Sequence, residues 1–249
     1  MRYQRHGIIE GMGTPSFGEA SFARDATDVG PLAPTGRRIP FVGLNPDLEI
    51  GFARRRLPHW TQPEVTYFTT FRLADALPSS LLARWREERR IWLKLHPEPW
   101  SKRDRREYEE RFPKRTEAWL DAGMGSCNLR RPDLREVVVA CLRRFDGFRH
   151  DLDAAVIMPN HVHLLIRPQG GNPLRHLLGG IKGASGRYCN RVLGQTGGKF
   201  WMDESYDRIV RNARELEAYR DYIGANPSKA GLSEGEYTLI MNHVLDARG

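Results

Sequence analysis

His161-Val-His163 and Tyr222-Ile-Gly-Ala-Asn226 are the two stretches of this chain whose residue types and spacing could do chemistry together. The first lies within Met158-Pro-Asn-His-Val-His-Leu-Leu-Ile-Arg167. Read at strand period, His161 and His163 point to one face, and Val162, Leu164 and Ile166 to the other. The apolar face can bury against helices. The other face then holds two imidazoles side by side on a rigid element, which suits a metal ion. A structural strand with half-buried histidines is the plainer alternative. In the second stretch, Tyr222 and Asn226 are four residues apart, so on a helix they share a face one turn apart. The Asn226 amide oxygen is a reasonable third ligand beside two imidazoles. Tyr222 would then bring a phenol near a phosphate bound to the ion. A phenol has a pKa of about 10 and must lose its proton to attack phosphorus well.

Each of these residues has a competitor. Helix tyrosines usually pack in cores, and an Asn before Pro227 is a common helix end. Tyr219 lies on the same side as Tyr222, but the residue four further on is Ile223, which cannot ligate. Tyr188 falls on the apolar stripe of its helix. Asp207 and Glu204 are candidate auxiliary ligands or acids, with salt bridging as the plainer role. His59, His96, His150, His176 and His243 show no partner pattern.

The elements around these residues follow from period and punctuation. Val65–Arg72, dense in β-branched and aromatic residues, reads as the first strand. Pro78-Ser-Ser opens a helix with a Leu81, Trp85, Trp92, Leu95 stripe. Ser101 can cap a second helix to about Leu120, whose alternating charges predict a solvated surface element. Pro132 starts an amphipathic helix through Leu134, Val138, Cys141, Leu142 and Phe145. Leu152–Met158 reads as a buried strand that turns at Pro159-Asn160 into the histidine strand, making an antiparallel hairpin. Asn172-Pro173 opens a helix lined by Leu174, Leu177, Leu178 and Ile181. Tyr206–Arg211 is strand-like, Asn212 caps a helix from Ala213 to about Ala225, and Tyr237–Met241 gives a weak strand signal. The fold expected is α+β: a central antiparallel sheet with packed helices. Residues 1–56 read as an irregular extension rich in Gly and Pro, and 57–249 as the functional domain, with a charged helical insertion near 97–130.

Composition limits the function classes. The 249 residues are 40% hydrophobic and 28% charged, ordinary for a soluble globular protein. A net charge of +8 favours an anionic partner, nucleic acid first. No run reaches the ~18 apolar residues of a spanning helix, and no secretory leader opens the chain, so neither a membrane nor an exported setting is expected. Cys127, Cys141 and Cys189 lack Cys-x-x-Cys spacing, so disulfides and a cysteine zinc site are not expected, and a cytoplasmic setting fits.

Met-Pro-Asn-His-Val-His in an apolar strand, followed downstream by Tyr222-Ile-x-x-Asn-Pro-x-Lys-Ala-Gly231, resembles the REP-associated tyrosine transposases, a branch of the single-tyrosine HUH transposases. Thr69-Thr-Phe-Arg72 with Ala76-Leu-Pro78 is similar to that family's opening strand, and Trp201–Arg211 to the segment before its tyrosine helix. The resemblance spans about 57–232. It implies the HUH nuclease (ferredoxin-like) architecture, with His161, His163 and Asn226 binding Mg²⁺ or Mn²⁺ and Tyr222 as nucleophile. It implies a strand transferase that forms a 5′-phosphotyrosine link on single-stranded, hairpin-flanked DNA, acting as monomer or homodimer. Lys182, Arg187, Arg191, Arg208, Arg211 and Lys229 are candidate phosphate contacts, and Trp201 or Tyr206 candidate base-stacking groups. Two other readings compete. One is a non-catalytic hairpin-DNA binder derived from a transposase. The other is a histidine-triad-type nucleotide hydrolase, from which Leu165 removes the third histidine.

Overall fold

The histidine strand sits at the centre of a five-stranded antiparallel sheet, as a strand buried on both faces must. The computed structural model describes residues 39–54 and 58–242. Its strands are β1 (Gly51–Arg54), β2 (Pro58–Thr61), β3 (Tyr67–Arg72), β4 (His150–Ile157), β5 (His161–Pro168), β6 (Tyr206–Ile209) and β7 (Thr238–Met241). The main sheet has the order β6-β3-β5-β4-β7, and every pairing is antiparallel. β4 and β5 form the expected hairpin, with Ile157 opposite Val162 and the Met158 amide donating to the His161 carbonyl.

Helices cover both faces. They are α1 (Ser79–Leu95), α2 (Lys102–Glu109), α3 (Arg115–Asp121), α4 (Pro132–Arg143), α5 (Leu174–Val192) and α6 (Ala213–Lys229). On one face Val162, Leu164 and Ile166 are fully buried in one core with Leu134 and Val138 of α4 and Leu174, Leu178 and Ile181 of α5. On the other, Phe68, Val156 and Leu165 pack with Leu216 and Ile223 of α6. Each such buried side chain stabilises the fold by about 2 kcal/mol. A one-residue slip of β5 would turn both imidazoles into the aliphatic core, so burial fixes the register that the site needs.

Four expectations are corrected. The α1 stripe buries Leu82 and Trp92, while Leu95 is 69% exposed. The charged helix is not simply a solvated surface element. Ser101 caps α2 through a capping box with Asp104, and Pro113 falls in a π-helical turn, Glu110–Lys114, that leads into α3. This helical run buries Phe112 and Leu120. Third, α6 continues through Pro227 to Lys229. Proline removes one backbone donor, but Ala230 still bonds back to the Asn226 carbonyl and Leu232 to the Pro227 carbonyl. Fourth, residues 39–54 are not wholly irregular. Leu44 bonds to the Val210 carbonyl, Thr66 to that of Val42, and β1 pairs with β2 across residue 56. Residues 1–38 of the expected extension lie outside the described residues. Among the described residues, no helix is long and apolar enough to cross a membrane.

Candidate active site

The two imidazoles of β5 and the phenol of α6 meet on the α6 side of the sheet. His161 and His163 are each 1% exposed, and their Nε2 atoms stand 3.0 Å apart. The Tyr222 hydroxyl is 3.4 Å from His163 Nε2, within the same chain. Asn226 is fully buried one turn further along α6, and neither its Oδ1 nor its Nδ2 has a hydrogen-bond partner among the described residues. The structure therefore brings all four expected residues together. Phe68 builds the platform beneath them. It stacks on His163 with centroids 5.6 Å apart and on Tyr219 at 4.3 Å, and meets Tyr222 edge-on. Tyr219 is thus held in the packing, as its partner Ile223 at i+4 suggests.

A hydrogen bond at the far side of each ring bears on its tautomer, and for His161 it fixes it. Asn160 Nδ2 donates to the carbonyls of Leu120 and Met124, at 3.1 and 3.0 Å. Its Oδ1 must then face His161 Nδ1, 2.7 Å away, so that nitrogen carries the proton and Nε2 offers a lone pair. His163 Nδ1 is 2.7 Å from the Thr70 hydroxyl, which can donate or accept. With the hydroxyl donating, His163 Nε2 carries a proton and can bond to His161. With it accepting, two lone pairs converge, which suits a cation between them. Burial holds His161 down at about 3, and His163 well below the usual histidine range with His161 adding to the effect. Both rings are therefore neutral at neutral pH, the state that ligates metal.

The charged insertion supplies groups that spacing alone did not reveal. Asp121 Oδ1, at the end of α3, lies 4.0 Å from His161 Nε2 and has no hydrogen-bond partner among the described residues. With His161 neutral this is no ion pair. It is a separation that a shared cation can span, since metal–ligand bonds of about 2.1 Å allow up to twice that. Asp121 itself is pushed above the usual carboxylate range by burial. Among the described residues, no three His, Cys, Asp or Glu side chains form a complete metal cluster. The converging donors are the two imidazoles, the Asn226 amide and this carboxylate. The orphaned amide, the paired Nε2 atoms and the carboxylate make a mixed nitrogen and oxygen donor set of the kind that holds a divalent cation.

Glu117, one turn before Asp121, is raised to about 7 by burial, then by Asp121 and Glu109, with Lys229 and Lys114 opposing. The Tyr222 phenol is raised well above its usual value by burial, then by Glu117 and Asp121. The Asn226 amide acts in the opposite sense, although it is not aligned for a full hydrogen bond. A carboxyl whose folded value lies above its unfolded one favours the fold at low pH, and that contribution is lost as pH rises through about 7. We expect Glu117→Gln to raise the thermal midpoint at pH 8 by a few degrees, from about 1–2 kcal/mol after discounting for partial exposure. The same variant should match the wild type near pH 4.5. Thermal unfolding in chelator at the two pH values checks this, and equal shifts at both would refute it.

The candidate nucleic-acid contacts divide. Lys229 is at the site, its Nζ 4.9 Å from the Tyr222 ring centroid. Arg208 is paired with Glu215 at 3.1 Å and Glu109 at 3.5 Å. Lys182 and Arg187 line a groove on the α5 side, away from the histidine face, where Lys182 donates to the Asp203 carbonyl and burial lowers it to about 8. Arg191 lies over the Tyr188 ring and Arg211 is exposed. Trp201 is corrected. It is 5% exposed, packs edge-on against Phe71 and donates to the Ser185 hydroxyl, so no ring face is left for a base. Tyr206 is half-buried, with its hydroxyl pushed up to about 12 by burial. Glu204 and Asp207 border the α5-side groove and are not among the groups converging on the imidazoles.

The site is thus a histidine pair on the central strand with a tyrosine on the covering helix, in an α+β frame. Residues 130–226 match the family model described as "Transposase IS200 like", and this segment contains His161, His163, Tyr222 and Asn226. The resemblance to the single-tyrosine transposases thus holds over that segment. A solved structure described as a REP-associated tyrosine transposase bound to a REP hairpin is similar at 15% identity and a TM-score of 0.39, over 71% of this chain and 74% of that one. No curated protein matches the chain.

Proposed function

We propose that the chain is a DNA nicking and joining enzyme that forms a 5′-phosphotyrosine intermediate through Tyr222, with hairpin-flanked single-stranded DNA as substrate. The observation that carries this reading is the 3.4 Å approach of the Tyr222 hydroxyl to His163 Nε2, itself 3.0 Å from His161 Nε2. His161, His163, Asn226 and Asp121 would hold Mg²⁺ or Mn²⁺. The ion supplies polarisation of the scissile phosphate and its orientation for in-line attack. Tyr222 Oη forms the new bond to phosphorus, and the bond from phosphorus to the 3′ oxygen breaks. The phenolic proton passes to a nearby base, for which Glu117, a carboxyl that acts on the phenol, is the candidate. The departing 3′ oxygen takes up a proton to become a hydroxyl. The phosphoester energy stays in the tyrosine link, so another 3′-hydroxyl can reverse the step and join strands without ATP.

Because one chain provides both the imidazoles and the tyrosine, a monomer suffices in this reading, and a cytoplasmic setting with access to DNA fits it. The test is incubation with hairpin-bearing oligonucleotides and Mn²⁺, followed by mass spectrometry for a tyrosine–DNA adduct on the peptide containing Tyr222. An intact wild type that never forms the adduct favours the hairpin-binding reading instead.

A further inference from the structure

β3 carries a cation, Arg72, for which no ion pair is formed among the described residues. Arg72 is the register partner of His161 across β3 and β5, just as Thr70 is of His163. Directly opposed residues project side by side from the same face of a sheet. Phe68 and Thr70 mark that face, since both contact His163. Their neighbours Phe71 and Leu73 lie in the opposite core. Arg72 is only partly accessible, and its Nη1 is sealed from solvent with no hydrogen-bond partner among the described residues. The charged side chain that acts on it is another cation, Arg86 of α1.

A guanidinium taken out of water without a counter-ion is costly, and a protein that needed only packing would place an apolar residue there. A buried guanidinium nitrogen left without a partner instead makes a seat for an anion, and the forked donors of arginine match phosphate oxygens. We propose that Arg72 seats a phosphate of the DNA strand beside the histidine pair. This rests on the DNA-processing reading above and adds the residue that holds the strand against the site.

A seat of this kind has an unusual signature: removing the side chain weakens binding without weakening the fold. Arg72→Met keeps the length and removes the charge. Binding of a fluorescent hairpin-flanked oligonucleotide is measured by anisotropy in chelator across a salt series, with thermal unfolding alongside. The expected result is at least a tenfold loss of affinity, a log–log salt slope smaller by about one, and a thermal midpoint equal to or above the wild type's. Arg72→Lys should recover part of the affinity, because charge returns without the fork. Millimolar inorganic phosphate should raise the wild-type midpoint and not that of Arg72→Met.

Wild-type affinity and slope in Arg72→Met would overturn the proposal. So would a sharp fall in its thermal midpoint, which would reveal a protein partner for the guanidinium. If Arg72→Met loses binding while the wild type forms no tyrosine adduct, the seat stands and only the nicking reading fails. If the wild type does not bind the oligonucleotide at all, both fall.

Discussion

If Tyr222 is the nucleophile, as we propose, Tyr222→Phe will abolish the covalent protein–DNA adduct and reduce strand cleavage by at least about 10³-fold, because it removes the oxygen proposed to attack. The ring is what packs. It meets His163 edge-on at 5.2 Å and Phe68 at 5.7 Å, and Lys229 lies over its face. The hydroxyl's contact to His163 is long, 3.4 Å. Folding stability should therefore change by less than about 1 kcal/mol. DNA affinity should be nearly unchanged, so the loss falls on the chemical step. The matched control is Tyr219→Phe, which alters a phenol on the same helix whose ring is stacked on Phe68. Gel analysis of cleavage with the three proteins decides the matter. Persistent cleavage in Tyr222→Phe, or its loss only in Tyr219→Phe, would mean that the nucleophile is misassigned.

The second large effect concerns the fastening of the tyrosine helix. Arg220 of α6 reaches the sheet and pairs with Asp153 of β4 through both Nε and Nη2, with the Nε contact at 2.8 Å. The Arg220 and Asp153 side chains are only 13% and 5% exposed, and a second bond from Arg220 runs to Glu217. Asp153→Ala leaves a largely buried guanidinium without its main partner, which costs about 3–5 kcal/mol. For a domain of this size that lowers the thermal midpoint by roughly 10 °C. It should also loosen the helix that aims Tyr222, and a displacement of about 1 Å at a reacting atom can cost on the order of 10²-fold in rate. Replacing both partners, Asp153→Leu with Arg220→Met, should recover most of the stability, because a buried ion pair is worth little against well-packed apolar groups. Thermal unfolding of the two single variants and the double variant gives the cycle. Additive losses would show that the pair does not act as a unit.

The reach of each physical effect along the chain separates what the residues announced from what they did not. The alternation around His161 and His163 is a property of neighbours, and so is the one-turn spacing of Tyr222 and Asn226. Those patterns fixed which face each group occupies, and the central strand, its hairpin with β4 and the α6 helix were legible for the same reason. Trp201 was misread because a large aromatic looks alike in sequence whether it stacks on a base or fills a core. Helix charges misled in the same way: alternating signs along 101–120 describe an exposed helix, yet its end carries Asp121 to His161 and Glu117 to where it acts on Tyr222.

By itself, then, the sequence determined the donor types and their local phase: two imidazoles on one strand face, a phenol and an amide on one helix face. Only the tertiary structure decided how these groups are held and charged. Thr70 meets His163 across 93 positions, and Asn160 bonds to Leu120 and Met124 across 40 and 36. Arg72 stands beside His161 only because β3 pairs with β5 in that register. Burial and long-range pairing set the tautomer of His161, the neutrality of both rings and the unbalanced charge of Arg72. Those terms depend on what the folded chain removes from water, which no short stretch of residues contains.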